Sequence, residues 1–222
     1  MKALLCAVNS KFIHTSLSSH ILYNHIHKSV CDVALTEFSI NDDVDMIIGK
    51  LYKYVADVYM FGVYIFNVEY IKRIIIKLKK INPCSIIILG GPEVSYGADE
   101  FLADNPAADI IVAGEGEYTL NNTLTAIKSG GKLEDVPNIV YRENGEINIS
   151  PQNKSLIDMD DIIFPYNNDN IGCFKNKIIY YESSRGCPYR CAYCMSANDK
   201  QLRYRSLEKV YDELSFFIRH KI

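Results

Sequence analysis

The sequence predicts an α/β protein built on a doubly wound parallel sheet of five strands, of the Rossmann or flavodoxin-like type. Short apolar runs alternate with stretches of helical periodicity through the first half of the chain. Two of these runs end in glycine turns, at Gly90 and at Gly114. Parallel strands joined by helices need right-handed crossovers, which cover both faces of the sheet.

Five apolar runs are predicted as buried strands, at residues 2–8, 32–38, 57–63, 85–89 and 109–113. Apolar residues three or four positions apart then predict the helices that follow the strands. The spaced apolar residues of the four helices are, in chain order, Leu17, Ile21, Leu22 and Ile26; Val44, Ile47, Ile48 and Leu51; Val68, Ile71, Ile75 and Leu78; and Leu120, Leu124 and Ile127.

The pattern changes in the second half. Residues 138–142 and 146–149 flank Asn144-Gly145, which is typical of a hairpin. Residues 150–175 show no clear period and predict a linker, followed by a strand at 177–182 and a helix from Ser206. We therefore predict an α/β domain at 1–136, a hairpin and linker at 137–176, and the start of a second domain at 177–222.

Charge and composition argue against two classes of protein, general nucleic-acid binders and membrane-spanning proteins. The net charge of −3 gives no basic field for general nucleic-acid binding, and no apolar run reaches the ~18 residues of a membrane span. The chain has seven cysteines and no predicted signal peptide, so we expect a reducing, cytoplasmic location. Clustered cysteines in that compartment indicate metal or redox chemistry.

Three of the cysteines form a C-x3-C-x2-C motif, Cys187, Cys191 and Cys194. A cubane iron–sulfur cluster held wholly by protein needs four thiolates, so three leave one iron open to a small chelating molecule. The alternative is a tetrahedral zinc site, with Cys173 as its fourth ligand.

The motif resembles that of the radical SAM superfamily, in which S-adenosylmethionine chelates the open iron of a 4Fe-4S cluster and is cleaved to a 5′-deoxyadenosyl radical. The resemblance implies that Cys187, Cys191 and Cys194 ligate the cluster and that Tyr193 lies near the adenine. The wider string YYESSRGCPYRCAYC resembles the subgroup with an N-terminal cobalamin-binding domain.

Two further motifs carry that resemblance, Gly90-Gly91-Pro92-Glu93 and Gly114-Glu115-Gly116-Glu117. The resemblance implies that the first domain is of the cobalamin-binding type and that both turns lie on the cobalamin side. From the residues alone, a plain tight turn and glutamates that cap helix N-termini remain open alternatives.

Ligands of doubly wound folds bind beyond the carboxyl ends of the strands, so loop residues there become candidates. Asn9, Ser10 and His14 follow the first strand, and Tyr64, Phe66 and Asn67 follow the third. The Asp-x-His-x-x-Gly motif of carriers with an axial histidine is missing. His14 is either near the cobalt or a polar loop contact.

The remaining arginines, histidines and cysteines are also considered for function. The arginines have more than one interpretation, whereas the histidines and most of the cysteines are expected to be structural. The arginines near the motif either offset the cluster charge, hold a carboxylate or form a solvated basic edge; they are Arg185, Arg190, Arg203 and Arg205. Three histidines are expected at the surface or edge of one helix, His20, His25 and His27. Cys6, Cys31 and Cys84 are expected in the core, and Cys173 is unassigned outside the zinc alternative.

The function implied is that of a cobalamin-dependent radical SAM methyltransferase acting on an unactivated carbon of a small-molecule or unknown substrate. We expect the 222 residues to hold only the first βα unit of the barrel, to be inactive alone, and to favour dimers through the unfinished barrel edge. The alternatives are a non-catalytic cobalamin- or nucleotide-binding module and a zinc-stapled interaction domain.

Overall fold

The computed structural model describes residues 1–189, 191–194 and 201–222 and confirms the predicted fold class. Its main sheet contains seven strands. They are β1 (Lys2–Asn9), β2 (Asp32–Ser39), β3 (Val58–Gly62), β4 (Ile86–Gly90), β5 (Ile110–Val112), β6 (Ile139–Glu143) and β7 (Glu146–Ile149).

The strand order is β2-β1-β3-β4-β5-β6-β7, and the pairs from β2 through β5 are parallel. The order of these five strands is that of flavodoxin-like folds. The predicted hairpin forms as β6 and β7, and its first strand pairs antiparallel with β5. The hairpin therefore extends the sheet of the first domain instead of lying apart with the linker.

Helices cover both faces of the sheet. They are α1 (Leu17–His25), α2 (Val44–Tyr54), α3 (Val68–Ile81), α4 (Pro92–Ser95), α5 (Ala98–Asp104) and α6 (Gly116–Ser129). One apolar cluster packs α2 to α5 against the sheet, around Ile47, Ile74 and Leu102, and the other packs α1 and α6 against the opposite face. None of the described helices is long and apolar enough to span a bilayer.

The linker lies against the first domain and the last helix, α7 (Leu207–Arg219). Ile157, Met159 and Ile162 pack on Ile21 of α1, and Tyr166 and Phe174 pack on Phe217 of α7. The linker thus buries its own apolar residues, although it has no regular period.

The strand predicted at 177–182 is wrong. Ile178 makes one isolated parallel bridge to His14, and the N–H of Ile178 donates to the carbonyl of Ile13 at 2.8 Å. The tyrosine hydroxyl of Tyr166 binds the carbonyl of Tyr180 at 2.7 Å. Beyond single contacts of this kind, no described strand pairs with the segment along its length. A two-stranded ribbon follows, β8 (Ser184–Arg185) with β9 (Arg203–Tyr204).

Candidate cofactor-binding site

A cavity of about 280 Å³ lies at the carboxyl edge of the parallel strands, and we call it the inner cavity. The ends of β3, β4 and β5 border it, and α1 and α6 supply side chains from one face of the sheet. Its wall is mostly apolar and includes Leu5, Leu22 and Met60, while Glu117 and Arg185 bring charge to it. The sheet edge therefore forms a recess suited to an apolar group that carries a polar end.

A second cavity of about 610 Å³, the outer cavity, lies beside the first and shares Ser18, Tyr64 and Arg185 with it. The predicted residues Asn9, Ser10 and His14 line it, together with Phe66. The rings of Tyr64 and Phe66 stack at 5.6 Å with an interplanar angle of 11°. The loops after β1 and β3 thus meet at one recess, as their order along the sheet predicts.

His14 is held by a residue from the far end of the chain. Its Nδ1 lies 2.5 Å from the hydroxyl of Tyr180, and its carbonyl accepts from the Asn9 amide at 3.1 Å. The imidazole lines the outer cavity while paired to Tyr180. The structure thus shows the polar loop contact; its approach to a cobalt ion stays a prediction.

Three other predicted residues do not reach into these cavities from the positions observed. Asn67 is buried, and its side chain bonds the carbonyls of Val8 and Gly62 and the N–H of Tyr64. Pro92 and Glu93 are exposed in the first turn of α4. Asn67 therefore joins the ends of β1 and β3, which sequence alone did not indicate.

The two glycine turns serve different purposes. Gly91 has a φ of +107°, and a Cβ there would lie 2.6 Å from the carbonyl oxygen of Val63, so the turn needs glycine for the protein's own packing. Gly114, with a φ of +78°, lines the inner cavity, and a Cβ there would meet no atom within 4 Å. Gly90, Gly91 and Gly116 also line this cavity. Close backbone approach is thus available to a ligand at Gly114, and at Gly91 it is already used.

The two glutamates of the second motif are ion-paired to the segment around the cysteines. Arg185 Nη2 donates to Glu117 Oε1 at 2.6 Å and its Nη1 donates to Glu115 Oε1 at 3.2 Å. Arg203 also donates to Glu115, and the N–H of Ile157 donates to the same carboxylate at 2.9 Å. Glu115 is the N-cap residue of α6 and Glu117 lies in its first turn, so both carboxylates lie at the helix N-terminus as the structural alternative expects, although the Glu115 side chain makes no capping hydrogen bond.

These ion pairs shift the pKa values of Glu115 and Arg185. Burial raises the pKa of Glu115, but the hydrogen bonds from Arg203 and Ile157 and the charges of both arginines outweigh it, so the pKa lies below its usual range. Burial lowers the pKa of Arg185, yet Glu117 and Glu182 reverse this and raise it overall. Both partners are charged at neutral pH.

Three of the four arginines hold carboxylates and do not form a solvated basic edge. The side chains of Arg185, Arg203 and Arg205 are 16%, 10% and 5% exposed, and each pairs with a glutamate. Arg205 pairs with Glu213 of α7. Arg190 lies outside the described residues.

The cysteine motif lies between β8 and β9. Gly186, with a φ of +92°, begins the loop, and a Cβ there would lie 2.3 Å from the carbonyl oxygen of Gln201. Cys187 and Cys191 are half-buried, Cys194 is exposed, and all three are free thiols. Tyr193 is 92% exposed.

Among residues 1–189, 191–194 and 201–222, no three cysteine, histidine or acidic side chains are gathered closely enough to hold a metal ion. The donor chemistry of three free thiols on one loop suits an iron–sulfur cluster with an open iron. The three cysteines thus suit an iron–sulfur cluster by the chemistry of their thiols. Cys173 is exposed on another segment, so the described residues do not assemble the four-ligand zinc alternative either.

Two structural predictions fail. His25 is buried, and its Nε2 accepts from the N–H of Ile163 at 3.0 Å, so it joins α1 to the linker. Burial lowers the pKa of His25, and Arg185 adds to that effect while Glu117 and Asp161 oppose it. Cys84 is exposed, whereas Cys6 and Cys31 are in the core as predicted.

The sequence interpretation missed the contribution of α1 to both cavities. Ser18 and Ser19 line the inner cavity, and the hydroxyl of Ser18 lies 3.0 Å from that of Tyr64. A run of small polar residues at a helix start, directly after the first strand, is the signal that was available. Arg185 carried no such signal, because its partner Glu117 is 68 residues away in the chain.

The strand order and the recess at the carboxyl edge define the class of the first domain, a flavodoxin-like cofactor-binding domain. The family described as the B12 binding domain matches residues 4–124, and the chain belongs to this family. The predicted resemblance to radical SAM proteins with a cobalamin-binding domain is confirmed.

Curated relatives include an uncharacterised methyltransferase of Pyrococcus horikoshii, 31% identical over 62% of this chain. They also include the cobalamin-dependent radical SAM methyltransferase TokK of Streptomyces tokunonensis, 28% identical over 75% of this chain. The matches cover 31% and 26% of these relatives' own lengths, so the chain corresponds to less than a third of each.

Solved structures show the same fold. The cobalamin-dependent S-adenosylmethionine radical enzyme OxsB, with aqua-cobalamin and S-adenosylmethionine bound, aligns with a TM-score of 0.81 at 23% identity, over 98% of this chain and 31% of that one. The radical S-adenosylmethionine methyltransferase TsrM of Kitasatospora setae, with cobalamin and a [4Fe-4S] cluster bound, aligns with a TM-score of 0.76 at 16% identity, over 100% of this chain and 46% of that one.

Proposed function

We propose that this chain forms the cobalamin-binding part of a cobalamin-dependent radical SAM methyltransferase that acts on an unactivated carbon of a small molecule. The observation that carries the proposal is the pair of joined cavities at the carboxyl edge of a B12-binding-family sheet. A cytoplasmic location belongs to the same proposal, and the methyl transfer is proposed for the whole protein.

The two cavities match the two parts of cobalamin, a flat benzimidazole nucleotide and a broad corrin ring. The inner cavity, with Leu5, Met60 and Leu22 in its wall, suits the apolar heterocycle, and Gly114 offers free backbone beside it. The outer cavity, with the stacked Tyr64 and Phe66 at its rim, suits one edge of the macrocycle.

Cys187, Cys191 and Cys194 are the proposed ligands of a 4Fe-4S cluster, with S-adenosylmethionine on the open iron beside Tyr193. Bound cobalamin would supply the methyl group, and reductive cleavage of S-adenosylmethionine would supply the radical that activates the substrate carbon. The protein's own part is to hold the cysteine loop near the outer cavity. Glu182 and Arg185, which line that cavity, lie five and two residues before Cys187.

Cobalamin binding is tested by retention of methylcobalamin after gel filtration in dim light, measured as cobalt per chain. Ser18→Trp places a large ring where the two cavities meet, so we expect retention to fall at least about tenfold. Ser18 is exposed at the start of α1, so the fold should persist.

Ser129→Trp is the matched control, because Ser129 is an exposed helical serine. It lies at the end of α6 opposite Gly116, which lines the inner cavity. It should retain cobalt like the wild type. Failure of the wild-type chain to retain cobalt, or equal retention by both variants, would remove cobalamin from these cavities.

A further inference from the structure

The inner cavity has a largely aliphatic wall where the sheet faces α1 and α6. The aliphatic side chains that the strands and the two helices contribute are Leu5, Met60, Ile88 and Val112 from the sheet, Leu22 from α1 and Leu120 from α6. All of these except Leu22 are buried. A group that fills this space therefore contacts hydrocarbon over much of its surface.

Leu22 closes the helix side of the cavity. It is half-buried on α1, and a Cβ at Gly116 would lie 3.1 Å from its Cδ2. Gly116 is the first residue of α6 and lines the same cavity. Because glycine has no side chain, Leu22 can reach across from α1 to α6. A change at Leu22 therefore alters the cavity wall without altering the strands.

The hydroxyl groups of the described wall are bonded to hydroxyl groups of the protein. The hydroxyl of Ser19 lies 2.8 Å from that of Ser16. The hydroxyl of Ser18 lies 3.0 Å from that of Tyr64, which also lines the cavity. A polar ligand atom must therefore compete with these pairs for a partner.

The charged side chains of the wall are engaged in the same way. Arg185 donates to Glu117 at 2.6 Å and to Glu115 at 3.2 Å, and Glu115 also accepts from the N–H of Ile157 at 2.9 Å. The carbonyl of Gly90 at the cavity accepts from the N–H of Val63 at 2.7 Å. The wall thus offers apolar contact freely, whereas its polar groups already have partners.

We propose that the inner cavity selects among cobamides, the molecules that share the corrin ring of cobalamin and differ in the lower base. It accepts a base with an apolar outer edge, such as dimethylbenzimidazole, and disfavours one with a polar edge, such as hydroxybenzimidazole. Leu22 is a specificity-determining residue for this choice. The proposal rests on the proposed function, since it takes the base to lie in the inner cavity.

The physical cause is the cost of burying a polar group without a hydrogen-bond partner. A hydroxyl on the outer edge of the base either stays unpaired among aliphatic side chains or displaces a pair within the protein. Apolar pockets reject an added hydroxyl by a limited factor, so the preference is one of affinity and not absolute exclusion.

Equilibrium dialysis of the 222-residue chain in dim light measures the preference as dissociation constants. The ligands are methylcobalamin, its analogue with hydroxybenzimidazole as the base, and methylcobinamide, which has the corrin ring and no base. Both bases ligate cobalt through the same kind of ring nitrogen, so their difference reports on the outer edge. We expect the hydroxybenzimidazole analogue to bind at least about tenfold more weakly than methylcobalamin. Methylcobinamide should also bind more weakly, because it leaves the inner cavity unfilled.

Leu22→Gln adds a hydrogen-bond donor and an acceptor to the wall at similar side-chain length. We expect it to reduce the ratio of the two dissociation constants to less than about threefold. Leu214→Gln is the matched control, since Leu214 is an exposed helical leucine of α7 that lines neither cavity. It should keep the wild-type ratio. If Leu22→Gln does not fold, Leu22→Thr introduces a single hydroxyl at the same position and should shift the ratio in the same direction.

Equal affinity of the wild type for the two bases would overturn the proposal. Methylcobinamide binding as tightly as methylcobalamin would also overturn it, because the base would then gain nothing from the cavity. A folded Leu22 variant with the wild-type ratio would remove the role of Leu22. Failure of all three ligands to bind would instead overturn the proposed function.

Discussion

The sheet edge and the cysteine loop are two candidate sites built in opposite ways. The cavities at the sheet edge form from strand ends whose positions are fixed by a buried core. The cysteine loop joins two strands of only two residues each, and its described thiols are not gathered into a metal-binding group. The comparison indicates that the fold preforms the first site, whereas a few ion pairs hold the described ends of the cysteine loop.

The largest expected effect concerns the loop. Cys191→Ala should reduce iron per chain after anaerobic reconstitution to background, because a cubane cluster with two thiolates left is poorly held. Cobalt retention should be unchanged, since the cysteine lines neither described cavity. Cys84→Ala, an exposed cysteine elsewhere, is the control and should keep its iron. Equal iron in both variants would end the cluster assignment, and stoichiometric zinc would favour the alternative metal.

A pair of glycine substitutions sharpens the comparison. Gly91→Ala places a Cβ 2.6 Å from the Val63 carbonyl in the sheet core and should cost about 2–4 kcal/mol of unfolding free energy in urea titration. Gly186→Ala brings a Cβ even closer, 2.3 Å from the Gln201 carbonyl. It should nevertheless cost less than about 1 kcal/mol globally, because only the short ribbon must open.

Hydrogen exchange should show this difference by location. The amide of Arg205, which donates to the carbonyl of Ser183, should exchange faster in Gly186→Ala while β3 and β4 stay protected. A large global destabilisation by Gly186→Ala would show that the ribbon belongs to the same cooperative unit as the sheet.

The smallest effect is a pH dependence at the junction of α1 and the linker. Groups that face His25 are Glu117, Asp161, Arg185 and His27, and burial prevails over the acidic ones, so its pKa is lowered in the folded state. The unfolded chain therefore binds a proton first as the pH falls. Stability from this residue is complete above the ordinary pKa of 6.5 and is lost as the pH drops towards the folded pKa.

His25→Gln keeps an acceptor for the N–H of Ile163 and removes the titration. In urea titrations, the free energy of unfolding of the wild type should fall as the pH drops just below the ordinary histidine pKa. That of the variant should fall less. The reverse order of the two slopes would show that the folded protein favours the charged imidazole.

Periodicity sufficed to predict the sheet, because Leu4, Ile88 and Ile111 belong to apolar runs that need cover on both faces. The short helices α4 and α5 follow the glycine turn after β4, and the sequence analysis did not predict them. The failed strand at 177–182 shows the limit of local pattern. An apolar run becomes a strand only where another strand pairs with it, and among the described residues Ile178 bridges to His14 alone.

The candidate site was predictable where chain order determines position. Asn9, His14 and Tyr64 meet in one cavity because β1 and β3 are neighbours in this fold. The pairing of Arg185 with Glu115 and Glu117 was not predictable, since it depends on how the linker passes over α6. The glutamates were identified by their motif, and their observed partners turned out to be arginines of the same chain.

The most direct test of the account is the hydrogen-exchange footprint of methylcobalamin on this chain. We predict slower exchange in peptides that cover residues 16–22 and 114–120, which border the inner cavity, with no change in peptides from the exposed end of α3. Tight retention with protection confined to other surfaces, or no retention at all, would contradict the assignment of cobalamin to the cavities at the sheet edge.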